Sequence, residues 1–280
     1  MLQGGNSADA SAKPYGPDVP VSKKVVVVLG PGHARAFAAA GVFRALQDAG
    51  IEVGGVVGTG MGALFAALYA EAATLSQFEW WTMRLKTDVL LGSRFRRLVG
   101  SLNSGNELEV FLAATFGKKD IRQTRKPLAI GVFSQTQGRF ILANQGPLTE
   151  AIRAAVAEPG VMTPGTWLGE PAISASLQQP YLVDVARDLG VGPVIVLDVL
   201  TDIEKVDDDG AREVGLVQNF LLARANGEKV LQTADVVIRP ELNEVGFFDF
   251  DRRTTATFKG KAATQKQIDS IREALDKVQQ

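Results

Sequence analysis

The segment that most constrains this chain runs from Val53 to Tyr69. An apolar run, Val53 to Val57, ends in Gly58-Thr59-Gly60-Met61-Gly62 and continues into Ala63-Leu64-Phe65-Ala66-Ala67-Leu68-Tyr69 at helical composition. β-branched residues before a glycine cluster, with helix formers after it, predict a strand, a sharp turn and a helix. The spacing is that of a nucleophile elbow, G-x-S-x-G, whose strained turn presents a serine at the top of a sheet. Here glycine stands at the serine position. The uncharged stretch Val53 to Ala70 is nearly as long as a membrane span, but the glycines at 54, 55, 58, 60 and 62 favour a buried strand-turn-helix.

A second unit of the same kind lies upstream. Lys23 and Lys24 precede Val25-Val26-Val27-Val28-Leu29, which reads as a buried strand. It runs into Gly30-Pro31-Gly32-His33-Ala34-Arg35-Ala36 and then an alanine-rich amphipathic helix to about Gly50. A glycine-bearing loop at a helix start leaves backbone N–H groups unpaired and suits an oxyanion or another anion. The plainer alternative is an ordinary strand-to-helix turn. A nucleotide-phosphate loop is disfavoured, because neither G-x-G-x-x-G nor a Lys-Ser/Thr ending is present.

In these blocks the chain resembles the patatin-like phospholipases, bacterial branch. The resemblance rests on Leu29 to Leu46, on Gly58 to Gly62, on Gly146-Pro147-Leu148 through Ala151-Ile152-Arg153 to Pro159-Gly160-Val161, and on Leu182 to Gly190. It continues through Ala234 to Pro240 and covers all but the first twenty or so residues. It implies an α/β fold of three layers, a largely parallel central sheet between helices, with residues 1–22 as a flexible leader and 23–280 as the patatin-like domain. It also implies hydrolysis of lipid acyl esters by a Ser-Asp dyad, the aspartate lying in a D-G-G or D-G-A motif and a G-G-x-R-G loop holding the oxyanion.

Each of those elements is altered here. The serine position falls on Gly60, and counting back from Asp184 places the D-G-G motif on Ser174-Ala175-Ser176, so Ser174 stands at the aspartate position. Gly32 and Arg35 are kept in the oxyanion loop, whereas His33 and Ala36 replace glycines. In serine proteases, loss of the nucleophile costs on the order of 10⁶ in kcat, roughly 8 kcal/mol of transition-state stabilisation, and further losses add little because the residues act as a unit. A double loss is expected once selection on the chemistry has lapsed. The expectation is a catalytically inactive member, with no intact catalytic residue, that binds a lipid or fatty-acyl ligand, a protein partner or a second copy of itself. Gly30, Gly32, His33, Ala34, Arg35 and Met61 are then the remnant of the oxyanion loop and the candidate ligand contacts. Glycine also enters the elbow's strained backbone without penalty, so greater stability than in an active relative is expected.

The alternative is a patatin-like acyl hydrolase with rewired residues. Ser174 paired with His33 would supply nucleophile and base, with Glu158 orienting the pair. The duller readings are a surface serine, a capping glutamate, and a His33 whose hydrogen bonds are satisfied and which plugs the loop.

Composition narrows the classes further. The chain has 280 residues, 46% hydrophobic and 22% charged, with a net charge of −1, which gives no reason to expect a nucleic-acid partner. It lacks cysteine, which excludes disulfides and thiolate metal sites, and with one histidine no structural or catalytic metal is expected; no cofactor is expected either. Arg94, Arg96 and Arg97 read as a solvated face, and Asp207-Asp208-Asp209-Gly210 as a surface turn without the alternating ligands of a calcium loop. Residues 1–22, rich in Gly, Ser, Ala, Asp and Pro, have no apolar signal-peptide core. They resemble the spacer after a removed signal or lipid-anchored cysteine, an expectation of a periplasmic or lipid-anchored protein, though a cytoplasmic tail has the same composition.

The rest alternates strand and helix. Leu75 to Leu91, Gly105 to Phe116, Leu148 to Ala157 and Lys266 to Val278 read as helices, the last with Ile268, Ile271, Leu275 and Val278 inward. In the first, Phe78, Trp81 and Leu85 face the core and Trp80 is left outside to cover a partner or a lipid. Leu128 to Phe133 and Arg139 to Ala143 read as a hairpin, and Val194 to Val199 and Val236 to Ile238 as buried strands.

Overall fold

A computed structural model describes residues 24–92, 103–201, 203 and 211–278. Residues 1–22, the Arg94, Arg96 and Arg97 cluster and the Asp207 to Gly210 turn lie outside the described residues.

The chain opens with strand β1 (Lys24–Leu29), a 3₁₀ turn (His33–Phe37) and helix α1 (Ala38–Asp48). Strand β2 (Glu52–Gly58) leads through the glycine turn into α2 (Met61–Glu71), followed by α3 (Leu75–Arg84), α4 (Thr87–Leu91) and α5 (Asn106–Phe116). The hairpin β3 (Leu128–Ser134) and β4 (Arg139–Ala143) precedes α6 (Leu148–Ala155), and two short strands follow, β5 (Gly165–Trp167) and β6 (Glu170–Ser174). The chain then forms α7 (Val183–Asp188), β7 (Val194–Leu197), α8 (Ala211–Leu231), β8 (Val236–Ile238), α9 (Arg253–Gln265) and α10 (Ile268–Lys277).

The strand order is β5-β6-β3-β2-β1-β7-β8, with β4 pairing β3 off that path. Strands β3, β2, β1, β7 and β8 pair in parallel, whereas β4, β5 and β6 add antiparallel pairs at one side. The sheet is therefore mixed but mostly parallel, and helices cover both faces. β1 shows why: Val25, Val27 and Leu29 pack into the cluster that contains α1 and α2, while Val26 and Val28 pack on the other face with Val183 and Ala186 of α7 and Leu231 of α8. A strand buried on both faces is apolar at every position, as the Val25–Leu29 run is.

Register positions the site. Leu29 pairs with both Gly58 and Leu197, so β1, β2 and β7 all end at one edge of the sheet. β6 pairs with β3 through Val132 and Ser174, which brings the end of β6 to the same sheet. Open α/β sheets place ligands at this carboxyl edge. Opposite the sheet, α9 crosses α1 almost backbone to backbone: a β-carbon on Gly41 would stand 1.9 Å from the Thr257 carbonyl, and one on Gly260 2.1 Å from the Ala38 carbonyl.

Three expectations are corrected. The Leu75 to Leu91 helix is two helices broken at Leu85 and Lys86, because Leu85 leaves helical geometry with ψ 77°. Phe78, Trp81 and Leu85 are nonetheless buried, and Trp80 is 54% exposed. In α10 Ile271 and Leu275 face the core as expected, but Val278 lies past the helix end and is 47% exposed. The Val194 to Val199 strand stops at Leu197, where Asp198 begins a loop. Among the described residues no helix is long and apolar enough to cross a membrane.

Candidate functional site

The elbow forms because each of its outer glycines lets backbone meet backbone. A β-carbon on Gly58 would stand 2.5 Å from the Ala63 Cα, and one on Gly62 2.3 Å from the Leu29 carbonyl oxygen. Between them Gly60 has φ 56° and ψ −140°, a region that side-chain-bearing residues enter only under strain. The Thr59 amide donates to Leu29 O at 3.1 Å, and its hydroxyl donates to Pro180 O, which fix the turn against the end of β1 and the chain before α7. Met61 is buried and starts α2, so helix geometry leaves its amide without an intrahelical acceptor.

The loop after β1 lies directly over Gly60. A β-carbon there would stand 2.8 Å from Cβ of Pro31 and 2.9 Å from Oε1 of Glu158, both closer than real β-carbons come. Pro31 also lacks an N–H, which removes one donor from the loop. Gly30 is covered by the ring of Tyr181, whose hydroxyl donates to the buried Asp198 carboxylate. Ala34 donates its amide to Phe247 O at 3.0 Å. Arg35 turns away from the elbow: Nε donates to Val245 O at 2.8 Å and Nη1 to Thr201 O at 2.9 Å, with the guanidinium 4.5 Å over the Phe247 ring. These bonds close the loop against neighbouring backbone.

His33 does not make the hydrogen bonds expected of it. Neither ring nitrogen has a partner, and the imidazole is buried among Phe220, Phe248 and Phe250, with ring centroids 5.5 to 6.2 Å away. Burial pushes its pKa down to about 4, so the ring is neutral at pH 7. Its φ of 47° is a conformation that glycine adopts freely, which marks the position as a glycine position occupied by a larger residue. With both nitrogens unpartnered, His33 makes no hydrogen bond to Ser174, and the Ser174–His33 pair is not formed.

What forms instead is a cluster of Glu158, Ser174 and Ser176. Ser174 Oγ donates to Glu158 Oε1 at 2.8 Å, and Ser176 Oγ donates to Oε2 at 2.7 Å. The two hydroxyls are 3.0 Å apart, and the Ser176 amide donates to Ser174 Oγ at 3.2 Å. All three side chains are buried, so Ser174 is not a surface serine and Glu158 is not an exposed cap. Burial pushes the Glu158 carboxyl up to about 7 against the two hydroxyl hydrogen bonds, which pull it down.

The backbone around Glu158 is held firmly. Val161 and Met162 donate their amides to Glu158 O at 3.1 Å, and Ser174 donates its amide to Ala157 O at 3.1 Å, so the turn after α6 is laced to the end of β6. α6 itself is anchored by buried Arg153, which donates to Ser104 O at 2.6 Å and to Thr163 O and Glu109 Oε1 at 3.1 Å. The carboxylate is thus positioned by elements on both sides.

Ser176, Pro31, Tyr181 and Asp198 were not singled out from sequence. Ser176 had a signal in its spacing of two from Ser174, and Asp198 in its place just after the apolar Val194 run. Nothing local marked Pro31 as a lid over Gly60.

Comparison with known proteins agrees with this arrangement of elements. Residues 27–186 match the family described as patatin-like phospholipase. An uncharacterized NTE family protein of Mycobacterium tuberculosis is 31% identical over 179 residues, covering 61% of this chain and 48% of that protein. Lysophospholipase NTE1 of Pyricularia oryzae is 25% identical over 228 residues, 76% of this chain and 15% of that protein. The chain therefore spans about half or less of the length of these relatives. Among solved structures, VipD from Legionella pneumophila superposes with a TM-score of 0.53 at 14% identity, covering 89% of this chain and 67% of that one. The family match runs through most of β1, its loop, the elbow, the turn after α6 and β6, and the chain belongs to the patatin-like phospholipase family.

Proposed function

We propose that this chain is a catalytically inactive patatin-like domain that acts by binding a lipid or fatty-acyl ligand, or a protein partner that includes a second copy of itself. One observation carries the reading: the space a nucleophile would need above Gly60 is taken by Glu158 and Pro31, 2.9 and 2.8 Å from any β-carbon there. The hydroxyl of Ser174, at the position matched to the family's aspartate, and that of Ser176 are spent on the same carboxylate. Trp80 and Met83, exposed on α3, offer apolar surface of the kind that partners and lipids cover.

A second reading has its own support. A serine hydroxyl 2.8 Å from a carboxylate whose pKa lies near neutrality has the distance and the poise of a nucleophile and its base. Against it, Glu158 also accepts from Ser176 and none of the three groups reaches solvent, so an ester carbonyl has no approach to Ser174.

Hydrolysis of a short-chain activated ester separates the two. Binding predicts no turnover by the unmodified chain above a denatured control. Turnover that Ser174→Ala or Glu158→Gln abolishes would establish the rewired hydrolase instead. A fatty-acyl species in the organic extract of the purified protein, seen by mass spectrometry, would favour a lipid ligand over a protein partner.

A further inference from the structure

We propose that Glu158 is a plug for the nucleophile's place, and that Glu158 and Gly60 form an interlocked pair in which each is tolerated because of the other. The inference builds on the reading of the elbow as an unused hydrolase site and names the residue that keeps it closed. Where its hydrogen bonds to Ser174 and Ser176 hold it, the carboxylate leaves no room for a side chain at position 60, because Oε1 is 2.9 Å from where a β-carbon would be and the glutamate would have to give up those bonds to move. Conversely, an empty position 60 would leave a gap between Pro31, β6 and the turn after α6, and the Glu158 carboxylate fills it.

The polar surroundings fit the plug. A buried carboxylate needs donors on both oxygens, and Ser174 and Ser176 supply one to each, at 2.8 and 2.7 Å. An aspartate at position 174 would instead set a second carboxyl against Glu158, and two carboxylates at that distance cannot both ionise. Gly60, Ser174 and Glu158 are therefore one linked set, and the absence of a nucleophile and the absence of the family's aspartate have a common physical partner. No other ionisable side chain hydrogen-bonds to Glu158 among the described residues.

The pairing is tested first by stability. Gly60→Ser in the unmodified background should lower Tm by about 5 °C or more, the scale of overpacking in a chain of this size. The loss should shrink clearly in a Glu158→Ala background, where the obstruction is gone, and persist in Glu158→Gln, where its shape remains. Backbone strain at position 60 and contact with Pro31 are the same in all three backgrounds and cancel in the comparison. An equal loss in all three overturns the pairing, as does rescue by Glu158→Gln, which would make charge and not volume the cause.

A second readout probes the closed site. Two multiple variants both carry Gly60→Ser, Ser174→Asp and Pro31→Gly, one with Glu158→Gln, which keeps the shape without the charge, and the other with Glu158→Ala. Each is exposed to a fluorophosphonate: the hydroxyl introduced at position 60 attacks phosphorus, an O–P bond forms, the P–F bond breaks and fluoride leaves, and the hydroxyl proton passes to the carboxylate introduced at position 174. Intact-mass labelling at least tenfold faster in the variant with Glu158→Ala supports the plug. Equal labelling in the two, including none in either, overturns it. Neither outcome depends on ester turnover by the unmodified chain, which tests the binding reading separately.

Discussion

The hydroxyl of Ser174 donates to Oε1 of Glu158 at 2.8 Å, in a cluster from which water is excluded. The Glu158 carboxyl, with a pKa of about 7, and the neutral buried imidazole of His33, with a pKa of about 4, act on stability with opposite signs as pH changes.

The folded chain keeps a proton on Glu158 that the unfolded chain has released. Its stabilisation is full below about 4.5 and is lost as pH rises to about 7, a change of about 3 kcal/mol. His33 runs the other way: its contribution is full above about 6.5 and is lost, by a similar amount, as pH falls to about 4. Between these limits the two nearly cancel. Urea unfolding of Glu158→Gln in steps of pH should therefore show stability rising with pH across this window. His33→Asn, which keeps a residue tolerant of left-handed backbone, should show it falling. Slopes of the same sign in the two variants would contradict the assignment.

Each serine hydroxyl pulls the Glu158 pKa down. Ser174→Ala and Ser176→Ala should each raise it further above 7, and the double substitution more than either. Carbon-13 NMR of selectively labelled glutamate reads the midpoint directly, and an unchanged midpoint would mean that the hydroxyls are not its partners.

Arg35 is expected to be structural. Arg35→Ala removes donors from the Val245 and Thr201 carbonyls and the stack on Phe247, and should cost about 3 kcal/mol or more. Arg35→Lys should recover little of this, since an ammonium cannot span those carbonyls while stacking on the ring. Denaturant midpoints check both. Full recovery by lysine would point to charge alone.

The contact between α1 and α9 depends on glycine. Gly260→Ala puts a methyl 2.1 Å from the Ala38 carbonyl, and should destabilise by about 1–3 kcal/mol although alanine is the better helix former. A stabilised variant would show that the helices are free to separate.

Much of the fold was legible because its strands carry their own pattern. The Val25 to Leu29 run, the Val53 to Val57 run and the hairpin around Gly138 all pack as their sequences imply. β5 and β6 were not legible: Glu170 and Pro171 open β6 with exposed polar and ring residues, and β5 is three residues long. α8 escaped for a related reason, since Gly215, Asn219 and Gly227 interrupt its apolar stripe. The site was half legible. The strand-turn-helix of the elbow follows from spacing and Ser174 was reached through the family resemblance, but the burial of Glu158 is marked by neither, because an acidic residue before Pro159-Gly160 has the local look of an exposed turn. Around it stand Ser174 and Ser176 at and after the end of β6 and the elbow at Gly60, which come together only once the sheet has formed. His33 failed in the same way, as its neighbours Phe220, Phe248 and Phe250 come from distant segments.

The proposed inactivity requires that no reactive hydroxyl be available at this elbow. Its most direct test is intact-mass analysis of the unmodified protein after prolonged exposure to a fluorophosphonate, with peptide mapping of any product. An unchanged mass is expected. A stoichiometric adduct on Ser174 or Ser176 would contradict it.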